Sequence, residues 1–344
     1  MTRSVHLVGS IALDSTAEVF DTAGAILTPR LKRCPDGETG GRRLWISYQW
    51  PVLRATSFRE PASDRATPGM GLCTLRLRQN VPQDEIRFPE LGYAREARAS
   101  YQDYLAARHR GVIASTTRFQ VCLPTPRAVI HTFVIPQDVE RILSAYEARM
   151  LRELEQICAA IPHCDLAIQW DVCTEMLQWD GRWPMKPAFA GMEQTFAKAF
   201  RALSACVPDD VELGYHFCYG DMDAKHFVEP IDLSKAVSLI NLIVASSQRR
   251  IDWVHVPVPA SREDAAYYAP LEGLKRTPRM EVYLGLVHLE DKIAGTTRRM
   301  KAASSFIKDF GIATECGMGR IRRPDLVRRL MEIHAAAADE FDAR

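Results

Sequence analysis

The sequence predicts an α/β protein built as a single-domain (β/α)8 TIM barrel, with a long loop excursion after the first strand. Buried-strand candidates and amphipathic helices alternate from about residue 117 to the end of the chain. The last five strand candidates begin near residues 166, 211, 251, 281 and 311, a spacing that suits βαβ units of roughly 30 residues or more. Their apolar, β-branched character is typical of a parallel sheet that is covered on both faces.

Eight strand candidates follow one another along the chain. They are SVHLVGSIA (4–12), LCTLRLR (72–78), FQVCLP (119–124), LAIQWDV (166–172), VELGYHFCYG (211–220), IDWVHVPVP (251–259), EVYLGLVHL (281–289) and GIATECG (311–317). Apolar residues at helical spacing predict helices over 135–161, 191–207, 232–247, 296–311 and 324–341. Eight strands joined by helical crossovers are the pattern of a TIM barrel.

Residues 24–70 are rich in Pro, Gly and Arg and do not follow the alternation of strand and helix candidates. A connection of this length is uncommon in a compact domain, so we expect a functional flap near the barrel mouth. Within it, CPDGETGGRR places Asp36 and Glu38 among three glycines, which is typical of a tight polar turn. Arg42 adds donors suited to a carboxylate or a phosphate. We predict Asp36, Glu38 and Arg42 as substrate-binding residues, with an exposed turn as the alternative.

The composition excludes several classes of protein. The 344 residues include 44 Lys and Arg against 43 Asp and Glu, so the chain lacks the positive charge of a nucleic-acid binder. No apolar run is long enough to span a membrane, and the N-terminus is interpreted as a strand rather than a signal peptide. Nine cysteines, an odd number without a dense framework, indicate a reducing compartment and hence the cytoplasm. No dinucleotide fingerprint or P-loop is present, so no nucleotide cofactor is expected. The sequence leaves the oligomeric state open.

Polar residues cluster where the strands end, which is where TIM barrels carry their active sites. They are Asp171, Cys173 and Glu175; His216, Cys218 and Asp221; His255; His288, Glu290 and Asp291; and Glu315 and Cys316. Asp171 is predicted to bind substrate or transfer a proton, with an N-cap of the following helix as the alternative. His255 and Glu175 are further catalytic candidates, and His288 is a substrate-binding candidate.

Three of these residues have the donor atoms of a zinc site. His216 and Cys218 are two apart on a strand, so their side chains leave the same face. With Cys316 they provide one imidazole and two thiols, a donor set of catalytic zinc sites that keep one position open for water or substrate. Bound zinc would deprotonate an incoming thiol and make it a nucleophile. The alternative is that both cysteines pack as small apolar side chains.

The order VGS, IQWD, HFC and ECG resembles the catalytic barrel of cobalamin-independent methionine synthase. That barrel belongs to a superfamily shared with uroporphyrinogen decarboxylase and zinc-dependent corrinoid methyltransferases. The resemblance covers nearly the whole chain. It implies zinc ligands at His216, Cys218 and Cys316, a substrate-facing carboxylate at Asp171, and a first-strand substrate loop that includes Ser10.

The sequence also departs from that family. The synthases have a glutamate ligand at the end of the sixth strand, where this chain has VHVPVP, so His255 is the residue that would substitute. The paired acidic residues after the fourth strand are replaced by DVCTE, and the second, N-terminal barrel of the full-length synthase is not expected here. These departures predict a divergent stand-alone relative.

Three functions remain open from the sequence. The first, which we adopt as the prediction, is a zinc-dependent enzyme that transfers a methyl group from a small donor to a thiol acceptor. The second is a lyase or decarboxylase that removes a one-carbon unit from an aromatic or carboxylated small molecule, for which the arginine-rich loop and the missing glutamate argue. The third is a binding protein that kept only the fold. This alternative stays open because fold alone does not decide function.

Overall fold

The structure, a computed structural model, describes residues 3–66, 71–185, 187, 189–220, 225–319 and 323–343. Its strands are β1 (Arg33–Pro35), β2 (Arg59–Ala66), β3 (Cys73–Leu77), β4 (Arg118–Pro124), β5 (Leu166–Val172), β6 (Glu212–Phe217), β7 (Trp253–Pro257), β8 (Glu281–Val287) and β9 (Gly311–Thr314). Its α-helices are α1 (Thr16–Leu27), α2 (Gln49–Arg54), α3 (Tyr93–His109), α4 (Pro126–Phe133), α5 (Val139–Ala160), α6 (Thr174–Asp180), α7 (Met192–Ala205), α8 (Ser234–Ser246), α9 (Ala265–Tyr268), α10 (Lys292–Ser304) and α11 (Pro324–Asp342). None of these described helices has the length and apolar character required to cross a membrane.

The main sheet contains seven strands in the order β1-β4-β5-β6-β7-β8-β9, and every neighbouring pair is parallel. Strands β5 to β9 are buried along nearly their whole length. Such burial is typical of a parallel sheet whose faces are packed against helices. The predicted α/β class is confirmed, and the curled parallel sheet is that of a TIM-barrel-like fold.

The segment 4–12, predicted as the first strand, makes only isolated bridges. Val5 bridges Leu31 on one side and Ile312 on the other, and Ile11 bridges Met318. This segment therefore lies between the two edges of the main sheet, but that sheet contains seven continuous strands among the described residues rather than the eight predicted. The neighbouring β1 is three residues long, which limits the length of any pairing there.

The prediction that LCTLRLR supplies a barrel strand is wrong. Its residues form β3, which pairs antiparallel with β2 in a separate two-stranded sheet. The alternation of apolar residues with arginines in this stretch is typical of a strand with one face exposed, not of a strand buried on both faces. The place beside β4 is taken instead by β1, which lies inside the predicted excursion.

Residues 24–66, the described part of that excursion, contain the end of α1, then β1, α2 and β2. Residues 67–70 of the predicted range lie outside the described residues. By contrast, the connections after β4 and β5 are short: α4 and α6 begin within two residues of the ends of these strands. Thr125 starts α4 by accepting a hydrogen bond from the backbone N–H of Ala128 (3.3 Å).

Candidate functional site

A cavity of about 290 Å³ opens at the carboxyl ends of the strands. Asp171 comes from the end of β5, His216 and Cys218 from the end of β6, and Cys316 follows β9. The rest of its wall is largely apolar and aromatic, with Trp45, Ile46, Leu177, Trp183, Met185 and Phe227. A small concave site with a few convergent polar groups in an apolar wall is typical of a small-molecule site.

Strand register places three of the candidate residues in one row. Asp171 on β5 is the register partner of His216 on β6, and His216 is the register partner of His255 on β7. Register partners of a parallel sheet direct their side chains to the same face. All three side chains are buried, with 7%, 3% and 0% of their surface exposed.

His216, Cys218 and Cys316 form a compact group whose ligand atoms all lie within 4.8 Å of one another. The two sulfurs are 3.8 Å apart, and Cys316 Sγ is 3.8 Å from His216 Nε2. Two sulfurs that each lie about 2.3 Å from one ion at a tetrahedral angle are about 3.8 Å apart. The spacing therefore fits a shared zinc ion, and it is far longer than a disulfide bond.

The backbone around both cysteines is fixed by local hydrogen bonds. The N–H of Cys218 donates to the carbonyl of Val172 (3.0 Å), which continues the β5–β6 pairing by one step. The hydroxyl of Thr314 donates to the carbonyl of Cys316 (2.7 Å). Gly317 is needed beside it, because a Cβ at this position would lie 2.3 Å from Ser10 Oγ.

His255 lies behind His216 rather than in the cavity wall. Its Nδ1 is 2.7 Å from Nδ1 of His216, and its Nε2 donates to the carbonyl of Thr314 (3.0 Å). Burial lowers the pKa of His255 to about 3, so the ring is neutral. Both ring nitrogens of His255 therefore already have hydrogen-bond partners.

Asp171 has the chemistry of a carboxylic acid that keeps its proton near neutral pH. Burial raises its pKa to about 7, although hydrogen bonds from Gln169 Nε2 (2.9 Å) and Trp45 Nε1 (3.2 Å) oppose the shift. The alternative role as an N-cap is wrong, because α6 begins after Cys173.

Gln169 holds Asp171 in place and was not among the residues predicted from the sequence. Its amide nitrogen donates to the carbonyl of Val8 (2.6 Å) as well as to Asp171, and its amide oxygen is 2.9 Å from Nε2 of His6. The available signal was a polar residue within LAIQWDV, an otherwise apolar buried strand, two residues before Asp171 and thus on the same face.

The predicted loop residues are divided between the cavity and the framework around it. Ser10 and Glu38 line the cavity. Asp36 lies outside it, paired with Arg42 (2.7 Å) and bonded by the Ser100 hydroxyl (2.7 Å). Asp36 Oδ1 also accepts the N–H of Glu38 (2.9 Å), at a turn where Glu38 has a φ of 48°. Asp36 and Arg42 thus hold the turn that presents Glu38.

His288 and Glu175 also lie outside the cavity wall. His288 Nε2 donates to the carbonyl of Val258 (2.9 Å), and burial lowers its pKa to about 4. Glu175 lies in the first turn of α6, 3% exposed, and burial raises its pKa. Neither residue is among those that line this cavity.

No protein-family profile and no curated protein matches this chain in sequence. Solved structures do match it. A B12-independent methionine synthase from a Shewanella species, in complex with selenomethionine, covers 100% of this chain and 98% of its own, with a TM-score of 0.62 and 14% identity. A proposed B12-independent methionine synthase from Listeria monocytogenes covers 95% of this chain and 86% of its own, with a TM-score of 0.56 and 14% identity.

The likeness establishes the fold. The identity is only 14%, but the two backbones follow a similar course over almost the entire chain. The similarity is therefore not limited to the segments VGS, IQWD, HFC and ECG. The predicted resemblance is confirmed at that level, and the chemistry of this chain has to be argued from its own residues.

Proposed function

We propose that this protein is an enzyme that transfers a methyl group to the sulfur of a small thiol, with a zinc site formed by His216, Cys218 and Cys316. The observation that carries the proposal is the approach of these three donor groups, within 4.8 Å of one another, in the wall of a cavity. Two proteins with the same fold are described as methionine synthases, so methyl transfer is among the reactions assigned to this barrel.

The donor set fits zinc by number and by spacing. One imidazole and two thiols are a ligand set of catalytic zinc sites, which leave a fourth position for water or substrate. The chemistry that zinc supplies when bound there is stabilisation of a thiolate over a thiol at neutral pH.

The chain's own residues then position the two reactants. The cavity wall excludes water with aromatic side chains such as Trp45 and Trp183, which suit an apolar or aromatic substrate body. Asp171, held by Gln169 and Trp45, hydrogen-bonds the substrate from one side, and Ser10 and Glu38 do so from the first-strand side. In the transfer, a sulfur electron pair of the acceptor forms the new C–S bond. The bond from the methyl carbon to its donor breaks, and its pair leaves with the donor.

The zinc site is tested by elemental analysis of protein purified without a metal-affinity tag. We expect about one zinc per chain in the wild type and in Cys173→Ser, and little zinc in Cys218→Ser and Cys316→Ser. Cys173 is the matched control, because it lines the same cavity outside the three-residue group. Equal zinc in all four proteins, or none in the wild type, would refute the site.

Acceptor activation is tested with benzyl mercaptan as the thiol. Zinc-edge X-ray absorption should report two sulfur neighbours in the resting protein and three after the thiol is added. Mass spectrometry should then find the S-methyl thioether when a methyl donor from a sulfonium or N-methyl series is supplied. A sulfur count that stays at two would remove the thiol from the mechanism.

A lyase or decarboxylase is the second candidate, and a different observation favours it. Asp171 is a buried carboxyl with its pKa raised to about 7 in the cavity, which is the range suited to general acid–base catalysis. Release of CO2 from carboxylated aromatic compounds by zinc-free wild type, lost in Asp171→Asn, would favour this candidate over methyl transfer.

Three further expectations belong to the same proposal. The segment around Val5 takes the place of the eighth strand, supported by its bridges to both edges of the sheet. The chain forms one domain with residues 24–70 near the barrel mouth, supported by Trp45 and Ile46 in the cavity wall. The compartment is the cytoplasm, supported by nine cysteines, an odd number without a dense disulfide framework.

A further inference from the structure

Two buried imidazoles, those of His216 and His255, face each other through the same atom type. Nδ1 of one lies 2.7 Å from Nδ1 of the other, and the ring centroids are 4.8 Å apart. A contact this short between two nitrogens is a hydrogen bond, so one nitrogen carries the proton and the other carries the lone pair.

The partner on the other side of His255 decides which nitrogen donates. His255 Nε2 lies 3.0 Å from the carbonyl oxygen of Thr314, which can only accept, so this nitrogen carries a proton. His255 is fully buried, and burial disfavours a second proton on the ring. Its Nδ1 therefore accepts, and His216 Nδ1 donates. A neutral His216 then has its lone pair on Nε2, the atom 3.8 Å from Cys316 Sγ.

We propose that His255 is a positioning residue, which holds His216 in the tautomer whose Nε2 can bind a metal ion. The role of the ion rests on the proposed function, whereas the tautomer does not. An exposed histidine in water favours the proton on Nε2, which would block that atom as a ligand. An accepting group at Nδ1 reverses the preference, as second-sphere groups do for metal-binding histidines.

Hydrogen bonds through His255 and Thr314 also connect His216 to Cys316. Thr314 accepts from His255 through its carbonyl and donates to the carbonyl of Cys316 through its hydroxyl. His255 therefore couples the orientation of His216 on β6 to the turn after β9 that carries Cys316. With both nitrogens occupied, His255 supports the site from behind and is not its fourth ligand.

The test compares His255→Leu with His255→Asn. Both remove the donor to Thr314, but Asn keeps an acceptor oxygen near the position of Nδ1, whereas Leu does not. In metal-free protein labelled with ¹⁵N-histidine, long-range ¹H–¹⁵N correlation reads the tautomer of His216, assigned by the signal missing in His216→Ala. We expect a proton on Nδ1 in the wild type and in His255→Asn, and a shift towards Nε2 in His255→Leu.

Zinc affinity, measured by competition with a chromophoric chelator, should fall about 10- to 100-fold in His255→Leu and by about threefold or less in His255→Asn. A proton on Nε2 of His216 in the wild type would overturn the proposal, as would wild-type zinc affinity in His255→Leu. A wild type that binds no zinc yet carries the proton on Nδ1 would refute the proposed function and leave the tautomer assignment standing.

Discussion

Replacement of Asp171 by asparagine should change how the stability of the protein depends on pH. Burial raises the pKa of this carboxyl from 3.8 to about 7, whereas in the unfolded chain it ionises near its ordinary value. Between those two pH values the native state keeps a proton that the unfolded state has released, so stability falls as pH rises. At about 1.4 kcal/mol per pKa unit, the wild type loses about 4 kcal/mol across this window.

The side-chain amide of the Asp171→Asn variant cannot ionise, so the variant lacks that loss. The substitution lowers the free energy of unfolding by about 1 kcal/mol at every pH, because one of the two donors, Gln169 Nε2 or Trp45 Nε1, then faces an amide N–H group. We therefore expect Asp171→Asn to be less stable than the wild type near pH 4 and more stable near pH 8.

Urea unfolding of metal-free protein, followed by tryptophan fluorescence at several values between about pH 4 and pH 8, measures this difference. Asp165→Asn is the control, because the pKa of Asp165 is shifted downwards and its contribution to stability changes only below this pH window, so its stability curve should run parallel to that of the wild type. Burial would raise the pKa of Asp165, but hydrogen bonds from Arg108 and Tyr101 lower it, so its contribution is present at neutral pH and is lost as pH falls through that lowered pKa. Parallel stability curves for the wild type and Asp171→Asn would show that Asp171 is charged in the native state, and the reasoning would be refuted.

Two further substitutions test packing and charge, each against a matched control. Gly317→Ala should lower the free energy of unfolding by about 1–3 kcal/mol, because the new Cβ would lie 2.3 Å from Ser10 Oγ, whereas Gly41→Ala, with open space around it, should change it by less than about 0.5 kcal/mol. Arg299→Met should lower the free energy of unfolding by about 3 kcal/mol, because the fully buried guanidinium of Arg299 bonds the carboxylate of Asp291 at 2.5 and 2.8 Å. The side chain of Arg298 is half exposed, so Arg298→Met should lower it by about 0.5 kcal/mol or less. Thermal unfolding measures all four variants, and equal losses within either pair would contradict the reasoning.

Local periodicity was sufficient for most of the fold. The strands from β4 onward and the helices α5, α7, α8 and α11 lie within about four residues of their predicted bounds, whereas α10 begins four residues before the predicted start and ends seven residues before the predicted end. The first part of the barrel could not be predicted in the same way. β1 is three residues long and begins with a buried arginine, so it has no apolar run to reveal it, and its place in the sheet depends on pairing with β4.

The candidate site shows a similar division. Among the residues predicted at strand ends, Asp171, Cys173, His216, Cys218 and Cys316 line the cavity, whereas Glu175, His255 and His288 do not. Asp221 lies outside the described residues. Ser10, implied by the family resemblance, and Glu38, predicted from the polar loop, also line the cavity. Sequence could not reveal that Asp36 and Arg42 neutralise each other in the turn that presents Glu38, because that pairing depends on the fold of the loop.

By itself, the sequence determined the donor types and the face on which they lie, because alternation along a strand follows from backbone geometry. Only the tertiary structure decided which donors meet. Cys218 and Cys316 are 98 positions apart in the chain, yet their sulfurs are 3.8 Å apart, since β6 and β9 curl towards a common opening. The register of β6 and β7 likewise placed His255 against His216, so that a residue predicted to be catalytic became its hydrogen-bond partner.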